Sequence, residues 1–521
     1  MKFIKSALSI GLLLSSLFLT ACAVNPVTGR NELSLVSEQQ ELNIGAEQYG
    51  PSQQSQGGEY SVDAELSEYV NTVGQRLAAV SDRALPYEFV VLNNSVPNAW
   101  ALPGGKIAVN RGLLLELNSE AELAAVLGHE VVHAAARHGA LAMTRGTLLQ
   151  GALVIGAFAS RNNEYSDYIV GGSQLGAQLV SQRYGRDAER ESDYYGIQYM
   201  ARAGYDPRAA ITLQETFVRL SEGQNQSWLN GLFASHPPSQ ERVDNNRALV
   251  AELMPGLAGQ ELEMGTERYQ QATAYLHDTK SAYDLFDEAE RAIADDDLEI
   301  ALGNLDEASA MVPGEARFSG LKADILLYQR RYRESISFYN EAIAKDDNYY
   351  DYYLGRGVAY ARQGSDSLAK ADLERSANLL PTAIAMNELG KISLNANDRI
   401  AARQYFQMAA SAQSSVGQEA SQAFMRLDIE DNPSNYLQVQ ASADRNGRIF
   451  ARVINRSGLD LQNITVEFSA VVVGRVQQDV QTIARLSAES YVDVVSVLSF
   501  PAGIQWSQNQ LAVQVTNLQV Q

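Results

Sequence analysis

The spacing of apolar residues divides this chain into segments with three different periodicities. From residue 59 to 251, apolar positions recur with a helical period that is interrupted by extended stretches at 87–92 and 106–110. Between residues 281 and 414 the pattern repeats every 34 residues, and after residue 432 apolar and polar residues alternate. The pattern therefore predicts a helix-dominated α+β domain, then a helical repeat array, and then an all-β domain.

The repeat in the middle of the chain has a recognisable length and composition. A 34-residue helix-turn-helix unit with small residues where its helices cross and proline at its end resembles the tetratricopeptide repeat. Four such units would stack into a solenoid whose concave surface binds peptides or a partner protein. The alternative is that the solenoid only braces the preceding domain. The residues that repeat are Pro313, Asp347, Pro381 and Ser415, and likewise Ala308, Ala342, Ser376 and Ala410.

The alternating segment at the C-terminal end predicts short strands. Apolar residues alternate at Leu437, Val439 and Ala441 and again over 449–453, and an Asn-Gly turn signal at 446–447 separates the two stretches. This texture is typical of a β-sandwich. The segment contains no His and no Cys, so we expect it to contribute contacts or stability rather than chemistry.

The first residues have the pattern of a secretory signal. Lys2 and Lys5 precede an apolar run over 7–19 that is too short to span a bilayer. The run ends in Leu-Thr-Ala-Cys, which resembles the lipobox of bacterial lipoproteins, so Cys22 is the predicted lipidation site. The alternative is an ordinary signal peptide with a chance cysteine. Ala23 follows where retained inner-membrane lipoproteins carry Asp, which favours the periplasmic face of the outer membrane.

Composition and charge exclude several classes of function. The chain has 521 residues, which is enough for about three domains. Its 41 Lys and Arg against 62 Asp and Glu give a net charge of -21, which argues against nucleic acid as a partner. The single cysteine excludes an internal disulfide framework and a Cys-based zinc or iron–sulfur site. Stability must therefore come from packing.

A His-Glu-Val-Val-His sequence at residues 129–133 carries the strongest chemical signal. Residues four apart project in the same direction only on a helix, so the context of this motif decides its meaning. Ser119 and Glu122 form a capping box before it, and Gly139 is a stop signal after it. These signals predict one helix over residues 120–138.

The predicted helix brings zinc-binding chemistry to one cleft. His133 lies roughly 40° and Glu130 roughly 100° around the helix from His129. Two neutral imidazoles can hold a zinc ion, and Glu130 can take a proton from the water that attacks a carbonyl. His138 lies roughly 180° from His129 on the same helix, so we expect it to stay away from the metal and to stabilise the helix C-terminus.

A zinc site of this type needs a third protein ligand. Ala136 and Gly139 stand where metzincins place Gly and His, so that class is excluded. A second helix supplies carboxylates, with Glu189 and Asp193 on one face. Glu189 would bind zinc, and Asp193 would orient a ligating His by accepting its other ring N–H. From the residues alone, Glu191 competes with Glu189 for the ligand role.

Four motifs occur together in this chain: the residues 129–133 followed by Ala-Arg-His-Gly at 136–139, Glu189 to Asp193 followed by Gly196, Asn-Ala-Trp-Ala-Leu-Pro-Gly-Gly at 98–105, and His-Pro-Pro at 236–238 leading to Arg242. They resemble the gluzincin zinc metallopeptidases of the HtpX and CAAX prenyl-protease type. Within that family, the lipoprotein signal and repeats are similar to the periplasmic β-barrel assembly-enhancing proteases. The resemblance implies one Zn²⁺ per chain, bound by His129, His133 and Glu189, with Glu130 as a catalytic residue.

The resemblance also implies roles for two further segments. A substrate would lie as an extended strand along residues 98–109, at Asn98, Ala99 and Trp100. His236 is the second predicted catalytic residue, and two interpretations of it are opposed: it donates to the oxyanion of the intermediate, or it occupies the open zinc position in a resting enzyme. The alternative is a loop His fixed by the two prolines.

The predicted fold is multidomain and mainly α, with an α+β gluzincin metalloprotease domain, an α-solenoid of tetratricopeptide repeats and a C-terminal all-β sandwich. A polar stretch over 51–60 predicts a loop or linker before the protease domain. The predicted boundaries are residues 1–21 for a lipoprotein signal peptide, 22–60 for an anchor and linker, 61–255 for the metallopeptidase domain, 256–280 for a linker helix, 281–430 for the repeats and 431–521 for the β-sandwich.

The leading functional hypothesis is a zinc endopeptidase of the bacterial periplasm that is anchored to the outer membrane through lipid on Cys22. Its substrates would be unfolded, misfolded or stalled envelope proteins delivered by the repeat solenoid, and a further partner would be the outer-membrane β-barrel assembly machinery. The alternative is a chaperone or assembly factor for outer-membrane proteins that acts by binding, with a largely plugged zinc site. The intact motif favours the enzyme, because a binding scaffold has no need of Glu130.

Overall fold

The computed structural model describes residues 22–152, 170, 174–181, 183–222, 231–501 and 506–521. The chain forms two compact units, Met1–Ala385 and Met386–Gln521. The predicted signal peptide, residues 1–21, lies outside the described residues. Among the helices of the described segments, none is both long and apolar enough to cross a membrane.

The first unit begins with a β-hairpin and a helix that docks on distant segments. Strands β1 (Cys22–Val24) and β2 (Asn31–Leu33) pair antiparallel. Helix α1 (Glu38–Ser55) continues through Pro51, so the predicted polar loop begins only after Ser55. Its last turn is held by tertiary contacts, because the Gln54 side chain donates to the carbonyl of residue 348 at 2.7 Å and accepts the backbone N–H of residue 350 at 2.8 Å. Local sequence signals do not contain such contacts.

A three-stranded mixed sheet forms the β layer of this unit. Helix α2 (Ala64–Ala78) packs on strand β3 (Glu88–Leu92). The central strand β5 (Lys106–Asn110) pairs parallel with β3 and antiparallel with β4 (Ala99–Leu102). The sheet order β3-β5-β4 leaves β4 at an edge. A short helix, α3 (Arg111–Leu114), follows β5 directly.

The helix that carries the His-Glu-Val-Val-His motif is shorter than predicted. Helix α4 (Glu120–Ala135) begins where expected, because Ser119 accepts the N–H of Glu122 at 3.2 Å. It ends three residues early, since Arg137 has a left-handed φ of 65° and breaks the chain of helical hydrogen bonds. A separate helix, α5 (His138–Ala152), begins immediately afterwards. The prediction that His138 lies on the same helix as His129 is therefore wrong.

Helices α4 and α7 (Arg186–Arg202) pack against each other through two glycines. A Cβ atom at Gly196 would lie 3.1 Å from the backbone nitrogen of His129, and one at Gly128 would lie 3.2 Å from the carbonyl oxygen of Gly196. This close approach faces the metal-binding motif toward the acidic helix. The other helices of this region are α6 (Gln174–Val180), α8 (Ala209–Glu222), α9 (Leu232–Ser235), α10 (Gln240–Leu253), α11 (Thr266–Ala272) and α12 (Ala274–Asp278).

The repeats form antiparallel helix pairs, which confirms the predicted helical solenoid. Tyr283, Phe286 and Phe318 from the first two pairs belong to the same apolar core as the sheet and α4. The three pairs within the first unit are α13 (Lys280–Ala294) with α14 (Leu298–Met311), α15 (Ala316–Tyr328) with α16 (Tyr332–Lys345), and α17 (Tyr350–Arg362) with α18 (Asp366–Leu379).

The second unit contains helices followed by two sheets. The boundary between the units falls within α19 (Ala383–Asn395), which is followed by α20 (Arg399–Ala409) and α21 (Ser415–Asp431). The sheets have the orders β10-β7-β6 and β11-β8-β9, and both contribute to one apolar core around Phe468. The predicted C-terminal β domain is confirmed. Its strands are β6 (Leu437–Ala443), β7 (Arg448–Asn455), β8 (Leu461–Val472), β9 (Arg475–Leu486), β10 (Tyr491–Ser499) and β11 (Leu511–Val520).

Candidate metal centre

Two histidines from α4 and one carboxylate from α7 converge in the first unit. The Nε2 atoms of His129 and His133 are 3.0 Å apart, as expected for residues one turn apart on a helix. Glu189 on α7 places its carboxylate oxygens 3.5 Å from His129 Nε2 and 3.4 Å from His133 Nε2. All three side chains are largely removed from solvent. The structure thus brings the three predicted zinc ligands together.

His236 completes a cluster of four groups that can bind a metal. It follows α9, and its Nδ1 atom lies 3.3 Å from His129 Nε2 and 3.0 Å from Glu189 Oε1. One ligand atom from each of His129, His133, Glu189 and His236 lies within 4.8 Å of the others. Nitrogen and oxygen ligands of tetrahedral zinc are roughly 3.3 Å apart, which follows from bond lengths of about 2.0–2.1 Å. The spacing and chemistry of these donors therefore fit zinc.

Glu130 lies beside this cluster with half of its carboxylate unpaired. Its side chain is buried, and its Oε2 atom has no hydrogen-bond partner among the described residues. Its Oε1 atom is 3.6 Å from His236 Nε2. Burial raises the pKa of Glu130 and outweighs the nearby His236 and His129, with the charge of Glu189 adding to the increase. A buried carboxylate with a raised pKa and a free oxygen is suited to accepting a proton.

Asp193 and Arg242 form an ion pair that contacts His129 and Glu189. Asp193 Oδ1 lies 3.0 Å from His129 Nδ1, and both of its oxygens accept from the Arg242 guanidinium at 2.7 Å. Arg242 also lies 3.3 Å from Glu189. Burial alone would raise the pKa of Asp193, but Arg242 and His129 outweigh burial and lower it to about 2. The sequence named Arg242 only as part of a motif, because its contact with α7 is not a local feature.

The two histidines of α4 differ in their affinity for protons. Burial would lower the pKa of His129, but Asp193 and Glu189 outweigh burial and raise it to about 10. Burial lowers the pKa of His133 far below its ordinary value, and the neighbouring imidazoles of His129 and His138 lower it further. In the absence of metal, His129 is therefore protonated on both ring nitrogens and positively charged, while His133 stays neutral. Zinc binding must displace the extra proton of His129.

All four residues of this cluster lie within the segment of the chain that matches a known protein family. Peptidase family M48 matches residues 64–250. The metalloprotease YcaL of Escherichia coli (strain K12) is 30% identical over 185 residues, which are 34% of this chain and 70% of YcaL. This chain belongs to peptidase family M48. The predicted family and the predicted enzyme class, a zinc metallopeptidase, are thereby confirmed.

Other M48 relatives match over a smaller share of their length. The putative beta-barrel assembly-enhancing protease of Vibrio cholerae is 29% identical over 242 residues, which are 44% of this chain and 49% of that protein. The mitochondrial metalloendopeptidase OMA1 of Schizosaccharomyces pombe is 38% identical over 181 residues, which are 34% of this chain and 50% of OMA1. The matches therefore span about half the length of these two relatives.

Two residues that the sequence set aside lie next to the M48 metal site. His138 Nδ1 is 3.0 Å from His133 Nδ1, and His138 Nε2 is 3.3 Å from Glu191 Oε1. The prediction that His138 does not bind the metal agrees with the structure, since His138 lies outside the four-residue cluster. Its predicted position is wrong, because the break at Arg137 turns the chain back toward α4 and brings His138 against His133. Glu191, the competitor of Glu189, lies outside the four-residue cluster and pairs with His138 instead.

Tyr184 is a residue of this M48 site that the sequence did not single out. Its ring stacks on the imidazole of His133, with centroids 4.1 Å apart and an interplanar angle of 29°. Burial raises the pKa of its hydroxyl, with the charges of Glu130 and Glu189 adding to the effect. Its position five residues before Glu189 was the only local signal that could have indicated it.

The predicted substrate-binding residues lie on the edge strand of the M48 sheet, outside the four-residue cluster. Ala99 and Trp100 are in β4, and Asn98 directly precedes it. All three are buried, yet Asn98 Oδ1 and Trp100 Nε1 have no hydrogen-bond partner among the described residues. Cys22, the predicted lipidation site, is the first described residue and its backbone pairs with Leu33.

A cavity of about 40 Å³ adjoins His129 and Glu130. Gln214 borders it, and the Oε1 atom of this residue is buried without a hydrogen-bond partner among the described residues. The cavity therefore combines an apolar wall with two acceptors, Glu130 Oε2 and Gln214 Oε1, that have no hydrogen-bond partner in the described part of the chain. Its apolar lining consists of Val126, Ile197, Leu213, Phe217 and Leu232.

Proposed function

We propose that this chain is a zinc endopeptidase that cleaves misfolded or stalled proteins of the bacterial outer membrane and periplasm. The observation that carries the proposal is the buried, unpaired oxygen of Glu130 beside a cluster that fits zinc. Membership of peptidase family M48 supports it. The names of relatives, such as the beta-barrel assembly-enhancing protease of Vibrio cholerae, support an envelope substrate.

In this proposal His129, His133 and Glu189 hold one zinc ion per chain. A bound zinc ion would polarise the scissile carbonyl and lower the pKa of a water molecule. Asp193 accepts the other ring N–H of His129 and so keeps its Nε2 atom directed at the ion. Arg242 pairs with both Asp193 and Glu189 and offsets part of their charge, which helps to hold two carboxylates in a buried site.

Glu130 acts as the general base and then as the general acid. It takes a proton from the attacking water and delivers it to the leaving nitrogen of the cleaved peptide. Its raised pKa favours the second step, because a carboxylate that binds a proton more tightly than an ordinary glutamate keeps that proton until it is transferred to the leaving nitrogen. Glu130→Gln should therefore abolish cleavage while leaving the zinc ligands in place.

His236 is the fourth ligand in a resting enzyme. Its Nδ1 atom lies about as close to His129 and Glu189 as the other three ligands lie to one another. This spacing supports the ligand role over donation to the oxyanion. His236→Ala tests the choice through the rate of casein cleavage. A gain in activity supports the resting-state ligand, a large loss supports oxyanion stabilisation, and an unchanged rate contradicts both.

A substrate would add a strand to the edge of the sheet at β4, which has no strand partner on its outer side among the described residues. Strand β4 is an edge strand, and main-chain pairing there accepts extended chains with little sequence preference. The buried side chains of Asn98 and Trp100 would supply an acceptor and a donor that have no partner among the described residues. The cavity beside Glu130 would receive one side chain of the substrate, with Gln214 as its polar contact.

The remaining assignments concern location and partners. Lipid on Cys22 would anchor the mature chain to the outer membrane, and the repeats would bind substrates or the outer-membrane β-barrel assembly machinery. Labelling cells with a radioactive fatty acid tests the anchor, because wild type should incorporate label and Cys22→Ser should not. Substrates trapped on Glu130→Gln in cells, identified by mass spectrometry, would test the partners.

The decisive test of the enzyme compares purified wild type with Glu130→Gln. Wild type should cleave casein or an unfolded outer-membrane protein, EDTA should stop cleavage, and added zinc should restore it. Glu130→Gln should bind zinc like the wild type and cleave nothing. Glu241→Gln is a control, because Glu241 pairs with Arg190 at the surface. Cleavage by Glu130→Gln would contradict the mechanism.

A second candidate function is a chaperone or assembly factor that acts by binding. The observation that favours it is the position of His236 among the metal ligands, since a plugged site has little activity. Complementation distinguishes the two functions. Rescue of an envelope defect by Glu130→Gln would favour the chaperone, whereas rescue by wild type alone would favour the protease.

A further inference from the structure

A chain of hydrogen bonds runs outward from the metal ligand His133. The Nε2 atom of His133 lies among the proposed ligand atoms, so its ring proton must sit on Nδ1. The His133 Nδ1–H then donates to His138 Nδ1 at 3.0 Å. His138 in turn carries its proton on Nε2 and donates to Glu191 Oε1 at 3.3 Å. Each group in this chain fixes the proton position of the next.

This series of hydrogen bonds ends at Asn25, in the turn between strands β1 and β2. Asn25 Nδ2 donates to Glu191 Oε1 at 3.0 Å. Its Oδ1 atom accepts the backbone N–H groups of Val27 and Thr28 at 3.0 and 3.2 Å. These two bonds fix which end of the amide faces the turn, so only the NH₂ group can face Glu191. Asn25 is 1% exposed, which shows that the contact is built into the interior.

The N-terminal segment, residues 25–41, also forms hydrogen bonds with residues at the break between α4 and α5. Arg137, whose left-handed φ creates the break, donates to the carbonyl of Val36 at 2.7 Å and to Glu41 at 2.6 Å. The backbone N–H of Leu35 donates to Thr144 Oγ1 on α5 at 3.0 Å. These contacts hold the turn that returns His138 to His133. The N-terminal segment therefore contacts this series of hydrogen bonds at Glu191 and also holds the turn that positions His138.

We propose that Asn25, Glu191 and His138 are positioning residues for the metal ligand His133, and that the N-terminal segment is a structural part of the metal site. The inference rests on the proposed zinc site. It assigns a role to residues before position 64, where the match to family M48 begins. Partners that orient a metal-bound imidazole raise metal affinity, and their loss costs about 10–100-fold in that affinity.

The test measures zinc affinity of the full chain, by competition with a chromogenic chelator after zinc removal. His138→Ala should weaken zinc binding about 10–100-fold. His138→Gln keeps an acceptor and a donor and should recover part of the loss. Asn25→Asp keeps the turn but sets a carboxylate against Glu191, so it should weaken binding as well. Asp187→Asn is the matched control, since Asp187 is exposed on the same helix as Glu191, and it should bind zinc like the wild type.

A second measurement separates positioning from a merely structural role. The melting temperature of each zinc-free variant reports folding, and the increase on adding zinc reports binding. Positioning predicts a smaller zinc-induced increase in His138→Ala and Asn25→Asp. An unchanged zinc affinity in the folded Asn25→Asp and His138→Gln variants would overturn the inference, even if His138→Ala fails to fold. Wild type that binds no zinc would overturn the zinc site itself, and wild type that binds zinc without cleaving casein would overturn only the proposed protease.

Discussion

Replacing Asp193 by Asn tests how strongly the buried ion pair supports the metal site. The substitution keeps the shape of the side chain but removes the charge that faces Arg242 and His129. Because Arg242 is buried, its remaining carboxylate partner would be Glu189 at 3.3 Å. The loss should therefore appear in α4, which carries His129, and in α7, which carries both carboxylates.

The pKa of Asp193 gives the magnitude. A fall from 3.8 to about 2 on folding corresponds to about 2 kcal/mol of stability at neutral pH. Because the pKa is depressed in the folded state, this contribution is present above pH 3.8 and is lost as the pH falls through about 2. The difference in melting temperature between wild type and Asp193→Asn should therefore be largest near neutral pH and should shrink on acidification toward that value.

Hydrogen exchange with mass spectrometry measures the effect locally, which matters in a chain of two units. At neutral pH the zinc-free Asp193→Asn variant should exchange the amides of α4 and α7 roughly 30-fold faster than wild type, which is the rate equivalent of about 2 kcal/mol. The control Asp187→Asn, on the same helix but exposed, should leave exchange unchanged. Equal protection in wild type and Asp193→Asn would refute the reasoning.

Three further predictions follow from the same geometry. Zinc binding should release about one proton at neutral pH, since the pKa of His129 is about 10, and calorimetry in buffers of different ionisation enthalpy measures it. Gly196→Ala should lower the free energy of unfolding by about 1–3 kcal/mol because its methyl group forces α7 away from Gly128, against a gain of about 1 kcal/mol in helix propensity. It should also weaken zinc binding, measured by chelator competition. Phe318→Ala should destabilise the fold by about 3–5 kcal/mol and speed exchange in α4 as well as α15, whereas Tyr328→Ala, exposed at the end of α15, should do neither.

The two histidines of the candidate metal site were predictable because short-range geometry determines their placement. Residues four apart on a helix face the same way, so the spacing of His129 and His133 was sufficient. The choice of Glu189 over Glu191 was not available from spacing, since both lie on one acidic helix and only the packing against α4 separates them. The structure gives Glu191 a partner, His138, that the sequence had placed on the wrong side of the helix.

The error at His138 has a physical cause. Gly139 was interpreted as the stop signal, yet the left-handed residue that ends α4 is Arg137, a residue type that rarely adopts this conformation. Tertiary contacts of Arg137 with Val36 and Glu41 stabilise it. Those partners lie about a hundred residues earlier in the chain, and no local pattern reports contacts at that separation.

The repeats illustrate the same limit for the fold. Their period was visible because each unit repeats the same packing with its neighbour. Their connection to the catalytic domain was not predictable, because it combines a shared apolar core with contacts that occur once. Glu315 accepts from Asn93 at 3.0 Å, and the Arg111 guanidinium lies 3.7 Å from the centre of the Tyr283 ring. These residues interact once and follow no period.

That connection bears on how the repeats can act. In the first unit, the helix pairs that begin with α13 and α15 share one apolar core with α4, so they brace the catalytic domain whatever else they bind. Removing them would take Phe286 and Phe318 out of the shared core and leave the buried Arg111 without its aromatic partner. Loss of activity in a truncated chain would then report unfolding rather than loss of a substrate. Partner binding by the repeats should therefore be tested by exchanging exposed side chains such as Tyr328, which change the surface and leave the shared core intact.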